Sequence, residues 1–154
     1  SDLIAPVVAM RDAGCPVGLG CDGSSSADSA SLWQEARLAM LQGKLVSGAD
    51  QMDARTTLEI ATRGGAACLG RLGELGELSV GSVGDVAIWR LEGPEFAGVL
   101  DDPIEGWLRC GPLAATHVFV HGREVVSNGV LADPNLEENL NRHRLVARRF
   151  QPRS

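Results

Sequence analysis

The chain has 154 residues, of which 44% are hydrophobic and 22% charged, the composition of a globular protein with a core of its own and not of a disordered chain. A formal net charge of -6 lacks the basic excess that phosphate neutralisation needs, which argues against a nucleic-acid surface. No apolar run reaches the roughly 18 residues of a membrane span.

Along the chain, Ser1-Asp2 opens onto an apolar helical pattern with no initiating Met and no leader, as a chain begun in mid-domain would. Residues 2–13 predict a helix, capped by Ser1 or Asp2, with Pro6 in its first turn and Gly14 as its stop. Cys15 to Cys21 (Cys-Pro-Val-Gly-Leu-Gly-Cys) is a nearly continuous apolar run, as expected of a parallel strand buried on both faces. It ends in Asp22-Gly23 and a small polar loop, Ser24-Ser25-Ser26-Ala27-Asp28. Residues 30–42 return to helical spacing, with Leu32, Ala36, Ala39 and Met40 on one stripe and Asp28 as a candidate cap. A loop over 43–50 is expected to follow, and then a helix over 54–69, capped by Asp53 and carrying Leu58, Ala61, Ala66 and Leu69. Gly64-Gly65 within that helix costs about 1 kcal/mol per Gly against Ala, which is tolerable where another backbone must come close.

From Gly70 the pattern changes from helical to β. Residues 73–91 are Gly-rich and then β-like, and 117–131 predict a hairpin with turns at Gly122-Arg123 and Asn128-Gly129. Leu136 to Phe150 predicts a basic amphipathic helix. The first half thus reads as the last unit of a parallel α/β barrel, although a whole barrel of about 250 residues does not fit.

Asp22 is the first candidate for chemistry. It stands at the C-terminal end of an apolar strand, where ligands bind in parallel α/β proteins. A carboxylate there can bind a metal or take a proton from water, and it can equally cap a turn. Gly18-Leu19-Gly20-Cys21-Asp22-Gly23 matches Gly-x-Gly-x-x-Gly, but too little strand precedes it and a Ser-rich loop follows it, which argues against a dinucleotide site. Ser24, Ser25 and Ser26 lack a nucleophile elbow and read as the lining of a cleft. His117 and His121, four apart on a predicted strand, share a face but have no further ligands nearby, while His143 lies among arginines. Trp33, Trp89 and Trp107 read as core or interface residues. Cys15, Cys21, Cys68 and Cys110 form no Cys-x-x-Cys pair and read as free thiols of a reducing cytoplasm, which also excludes deaminases built on that zinc motif.

The run from Pro16 to Asp28 resembles the last barrel strand of the amidohydrolase superfamily, in the branch of guanine, 8-oxoguanine, S-adenosylhomocysteine and triazine aminohydrolases. Three further blocks are similar in order and spacing: Leu58 to Gly70, Gly76 to Asp85 with the following Val-Ala-Ile-Trp, and Val118 to Val126. Within them Ser82 stands where Lys or Met is usual and Gly84 replaces a common Ala. Phe96-Ala-Gly98, Asp102-Pro103 and Cys110-Gly-Pro112 look most like 8-oxoguanine deaminases.

The resemblance implies an α/β fold: the last strand and helices of a (β/α)8 metal-dependent hydrolase barrel (1–71), part of a composite β-sandwich (72–135) and a C-terminal helix packing back on the barrel (136–154). It implies hydrolytic deamination of a purine-like or triazine-like ring, with one divalent metal, zinc or iron. The family's metal site uses His ligands from other strands, an acid-base Glu and an Asp ending the last strand. Only that Asp has a counterpart here, and it is Asp22, so the chain by itself should neither hold zinc nor turn over. The implied partners are a small heteroaromatic substrate and water, with no nucleic acid and no membrane, in a cytoplasmic homo-oligomer of the full-length protein. Two other readings stay open: a non-catalytic α/β interaction module, and a nucleotide-binding protein using the loop 18–23.

Overall fold

The computed structural model describes residues 4–23, 29–99 and 101–150. Its elements run α1 (Val7–Asp12), α2 (Leu32–Ser47), α3 (Ala54–Glu59), a π-helical turn (Ile60–Gly64), α4 (Gly65–Cys68), β1 (Val86–Ile88), a 3-10 turn (Pro94–Phe96), α5 (Pro103–Cys110), β2 (His117–Val120), β3 (Arg123–Ser127), β4 (Val130–Leu131) and α6 (Leu136–Phe150). They divide into a helical unit, Ser1–Gly84 with Arg90–Leu113, and a sheet unit, Asp85–Trp89 with Ala114–Ser154.

In the helical unit, α1 is shorter than predicted. Pro6 occupies its N-cap position with no side-chain cap, and the expected caps Ser1 and Asp2 lie outside the described residues. Its end is as predicted: Gly14 takes φ 77, its N–H donates to Arg11 O at 2.8 Å, and the Cys15 N–H donates to Met10 O at 3.0 Å. That bond pair is a Schellman stop, which only a residue at ease with positive φ closes without strain.

The predicted strand over 15–21 is not formed as one. A parallel strand exists only through ladder bonds to its neighbours, and the described sheet belongs entirely to the other unit. Nor is the segment buried on both faces: Val17, Gly18, Leu19 and Cys21 are half-buried, whereas Cys15, Pro16 and Gly20 are exposed.

Ser31, and not Asp28, caps α2, its side chain accepting the Gln34 N–H at 3.4 Å; Asp28 lies outside the described residues. The expected loop from Gly43 is instead helix as far as Ser47. Gly43 survives inside α2 because a Cβ there would lie 2.7 Å from Cγ of the buried Met52. The chain leaves the helix only at Gly48, with φ 109. Leu32, expected on the buried stripe with Ala36 and Met40, is exposed, one turn too close to the helix start for the core to cover it.

Asp53 caps α3 as predicted, accepting the Thr56 N–H at 2.7 Å. The helix continues through the π-helical turn into α4 and ends on a second Schellman pair, Gly70 N–H to Ala67 O and Arg71 N–H to Ala66 O. Leu69, the last residue of the predicted helix, is the C-cap and is exposed. α5 was not anticipated. Asp102 caps it by accepting from Ile104 N at 3.1 Å and Glu105 N at 3.0 Å, with Pro103 in its first turn. α5 completes the core: Leu108 joins Ala36, Met40 and Ala54, with Leu19, Trp33, Ala61, Ile104 and Trp107 packed around them. Trp33 Nε1 donates to the backbone O of Trp107 at 3.0 Å, and both tryptophans pack against the core, as expected.

The sheet unit is antiparallel, in the order β1-β2-β3-β4. Val86 faces Phe119 and Ile88 faces His117, while a bulge between Val118 and Phe119 shifts the β2–β3 register. The first turn is His121-Gly122, one residue earlier than predicted, with φ 52 and 75. His121 accepts this left-handed backbone because its N–H is held by Asp85 Oδ1 at 2.6 Å. Asn128-Gly129 makes the second turn as predicted, with φ 49 and 77. α6 forms over the predicted residues, and none of them is buried.

Candidate active site

The segment 15–23 carries the candidate acid, and local packing decides where that acid stands. The Schellman stop at Gly14 turns the chain out of α1. Val17 and Gly18 then lie against Gly64 and Gly65. A Cβ on Gly64 would fall 2.1 Å from Val17 O, and one on Gly18 would fall 2.9 Å from Gly65 Cα. Gly64 inside the long helix lacks a side chain for the reason its sequence suggested, a second backbone in contact, whereas a Cβ on Gly65 would meet nothing within 4 Å. Leu19 turns into the core.

Asp22 follows at the end of this run, exposed and with φ 55. Asp tolerates the left-handed region because its short carboxylate can bond locally, and Oδ1 accepts the N–H of Gly23 at 2.7 Å. The side chain is thereby tied at its base. Ser24, Ser25 and Ser26 lie outside the described residues.

Two grooves border the same segment, and neither includes Asp22. One of about 490 Å³ lies at its start, with Cys15, Arg11, Glu59 and Arg63 among its lining residues. The other, of about 380 Å³, is lined by Met10, Leu19, Leu38 and Gln42 among others. Among the described residues, no three His, Cys, Asp or Glu side chains stand where they could share a metal ion. The described residues thus do not by themselves provide the tetrahedral ligand set that zinc takes.

The histidines are placed elsewhere. His117 Nδ1 and Glu124 Oε1 are 2.8 Å apart across β2 and β3, and this bond, with one from Ser127, holds the Glu124 carboxyl below its ordinary range. His121 sits in the turn, so the two histidines expected on one strand face do not share one. His143 is exposed on α6. All four cysteines are free.

What the sequence did not reveal is the part Gly18 plays. It begins a Gly-x-Gly-x-x-Gly match whose context already argued against a dinucleotide site, and it is the close-contact partner of Gly65. The signal that pointed to it was the Gly-Gly pair buried in a helical pattern. Gly18 has no room for a side chain on account of a helix, not a phosphate, which removes the support for a nucleotide reading of 18–23.

Comparison with known proteins agrees with this architecture. Residues 1–131 match the model of the amidohydrolase family. The chain is 38% identical over 144 residues to an 8-oxoguanine deaminase from Pseudomonas aeruginosa, covering 94% of this chain and 32% of that protein. It is 32% identical over 150 residues to an isoxanthopterin deaminase from an unknown prokaryotic organism, covering 88% of this chain and 31% of that protein. Among solved structures, an adenosine deaminase from Xanthomonas campestris with bound zinc superposes at TM-score 0.87 and 26% identity, over 95% of this chain and 34% of that one. An atrazine chlorohydrolase from Arthrobacter aurescens complexed with zinc superposes at 0.83 and 36% identity, over 93% and 32%. The chain spans about a third of the length of these relatives. The expected fold is borne out at the level of the family: helices and a small sheet that superpose on about a third of a larger relative's chain. A run that ends in Asp22, a helix whose glycines press on that run, and a match from residue 1 to residue 131 lead to one conclusion: this chain belongs to the amidohydrolase family.

Proposed function

We propose that this chain supplies the carboxylate arm of the active site of a metal-dependent amidohydrolase that hydrolytically deaminates a purine-like or triazine-like ring, with 8-oxoguanine or guanine as the favoured class. The observation that carries the reading is the position of Asp22. It is the exposed acid that ends a core-anchored segment in a chain of this family. The similarity to an 8-oxoguanine deaminase supports the choice of ring.

Bound at this site, a divalent metal, zinc or iron, would supply an acidified water at neutral pH. Asp22 would be one of its ligands, with histidines from the rest of the protein as the others. The carboxylate, tied through Oδ1 to the Gly23 N–H, would orient a water toward the ring carbon and accept its proton, and the exocyclic C–N bond would then break, the amine leaving as ammonia with a proton from an acid-base group of the rest of the protein. Ser24, Ser25 and Ser26 would border the substrate cleft. The free cysteines support a reducing, cytoplasmic setting, and no helix among the described residues is long and apolar enough to cross a membrane. A homo-oligomeric full-length protein belongs to the same proposal.

The test is ammonia release by the full-length protein and its Asp22→Asn variant with 8-oxoguanine, guanine and a triazine as substrates. Loss of turnover by roughly a hundredfold or more is expected on removing a group that takes a proton in the reaction. Undiminished turnover would overturn the role of Asp22, and no ammonia from any of the three rings would overturn the substrate class.

A further inference from the structure

The contacts that place Asp22 are made by backbone, and that gives them a consequence for the site. The ideal Cβ of Gly64 would lie 2.1 Å from Val17 O and 3.3 Å from Val17 C. That of Gly18 would lie 2.9 Å from Gly65 Cα and 3.1 Å from Gly65 N. No rotamer change can relieve either overlap. Reaching an ordinary C···O separation of about 3.3 Å would require the Val17 segment to move by roughly an ångström. Leu19 is packed on the core two residues further on, so the segment cannot absorb such a shift by looping out. The π-helical turn Ile60–Gly64 ends at the point of contact, and turns of this kind recur beside functional sites.

We propose that Gly64, with Gly18 facing the same helix, is a positioning residue for Asp22: the absence of side chains at these two positions sets how deep the segment lies and where its terminal carboxylate stands. The proposal rests on the assignment of Asp22 given above. Neither glycine touches substrate or metal; both act through the chain between Val17 and Asp22.

The experiment uses the full-length protein with Gly64→Ala, Gly18→Ala, Gly65→Ala and Asp22→Asn. A Cβ on Gly65 meets nothing within 4 Å, so Gly65→Ala adds a methyl to the same helix without touching the segment. Three quantities are read: zinc affinity by chelator competition, the visible spectrum of the Co(II)-substituted protein, and kcat separately from KM. For Gly64→Ala the Co(II) bands should shift and zinc affinity should fall roughly ten- to a hundredfold. Its kcat should fall about a hundredfold, as for a 1 Å misplacement, with KM little changed. Gly18→Ala should move all of these in the same direction by less, and Gly65→Ala should move none.

A folded Gly64→Ala protein with unchanged spectrum, zinc affinity and kcat overturns the proposal. So does a Gly65→Ala protein that behaves like Gly64→Ala. If neither Gly64→Ala nor Gly18→Ala can be purified folded, the contact serves the fold alone and the proposal falls. Asp22→Asn separates the two levels. If it leaves zinc affinity and turnover intact, the assignment of Asp22 fails and takes the positioning role with it; if it abolishes them while Gly64→Ala is silent, only the positioning role fails.

Discussion

Glu105 joins two helices that are far apart in sequence. Its Oε1 accepts the Ala54 N–H at 3.1 Å, and its Oε2 accepts from Arg109 Nε one turn along α5. Ala54 has no exposed surface, and its amide is among the first N–H groups of a helix, which intrahelical bonds cannot reach. Glu105→Ala would leave that donor buried without an acceptor, at a cost of about 1–3 kcal/mol. The lost pair with the half-exposed Arg109 adds about 0.3–0.5 kcal/mol. Glu105→Gln keeps an oxygen facing Ala54 and loses only the second contribution. Urea unfolding followed by tryptophan fluorescence suits the measurement, since Trp33 and Trp107 lie in this core. The bond from Arg109 and, less strongly, that from Ala54 hold the Glu105 carboxyl below its ordinary value of 4.5. A carboxyl whose folded value is depressed stabilises fully above the unfolded value and loses that contribution as pH falls through the folded one. The advantage of the wild type over Glu105→Gln should therefore hold above pH 4.5 and vanish in stronger acid. Equal costs for Glu105→Ala and Glu105→Gln would refute the account, because the Ala54 bond is what separates them.

Leu108→Ala empties a site with no exposed surface at the centre of the core and should cost about 2–5 kcal/mol; a loss under about 1 kcal/mol by the same unfolding assay would show that this core does not carry the helical unit. Asp53→Ala removes the cap of α3 and should cost about 1 kcal/mol at neutral pH. The Thr56 N–H is the main group holding Asp53 below its ordinary 3.8, so the contribution is full above pH 3.8 and fades as pH falls through the lower folded value. Asp53→Asn, which caps without a charge, should keep its stability through the same acid range, and parallel acid unfolding of the two proteins would show it.

Elements with a local chemical signature were legible in the sequence. Gly14 stops α1, Asp53 caps α3, Asn128-Gly129 turns the chain, and α6 covers its predicted residues. What the sequence obscured depends on distant partners. Gly43 looks like a helix stop until Met52 is seen to need its missing side chain. The turn at His121-Gly122 depends on Asp85, thirty-six residues earlier in the chain, accepting the His121 N–H. α5 is short and stood between Gly- and Pro-rich stretches, although Asp102-Pro103 followed by Glu105 is a capping signal that could have revealed it. For the site, the position of Asp22 at the end of an apolar run was readable. Its left-handed backbone was not, because Asp-Gly is equally at home in several turn types.

The sheet unit is discontinuous: β1 is contributed from Asp85–Trp89 and the remaining strands from beyond Ala114, while Arg90–Leu113 between them belongs to the helical unit. The two units are thus stitched together in the gene. A stop codon or protease nick between 85 and 113 strips α5 from the helical core or β1 from its ladder, and at some positions both. Neither unit can be inherited, expressed or shuffled as a cassette at a single junction, and any recombination that swaps one must cross over three times, after Gly84, Trp89 and Leu113.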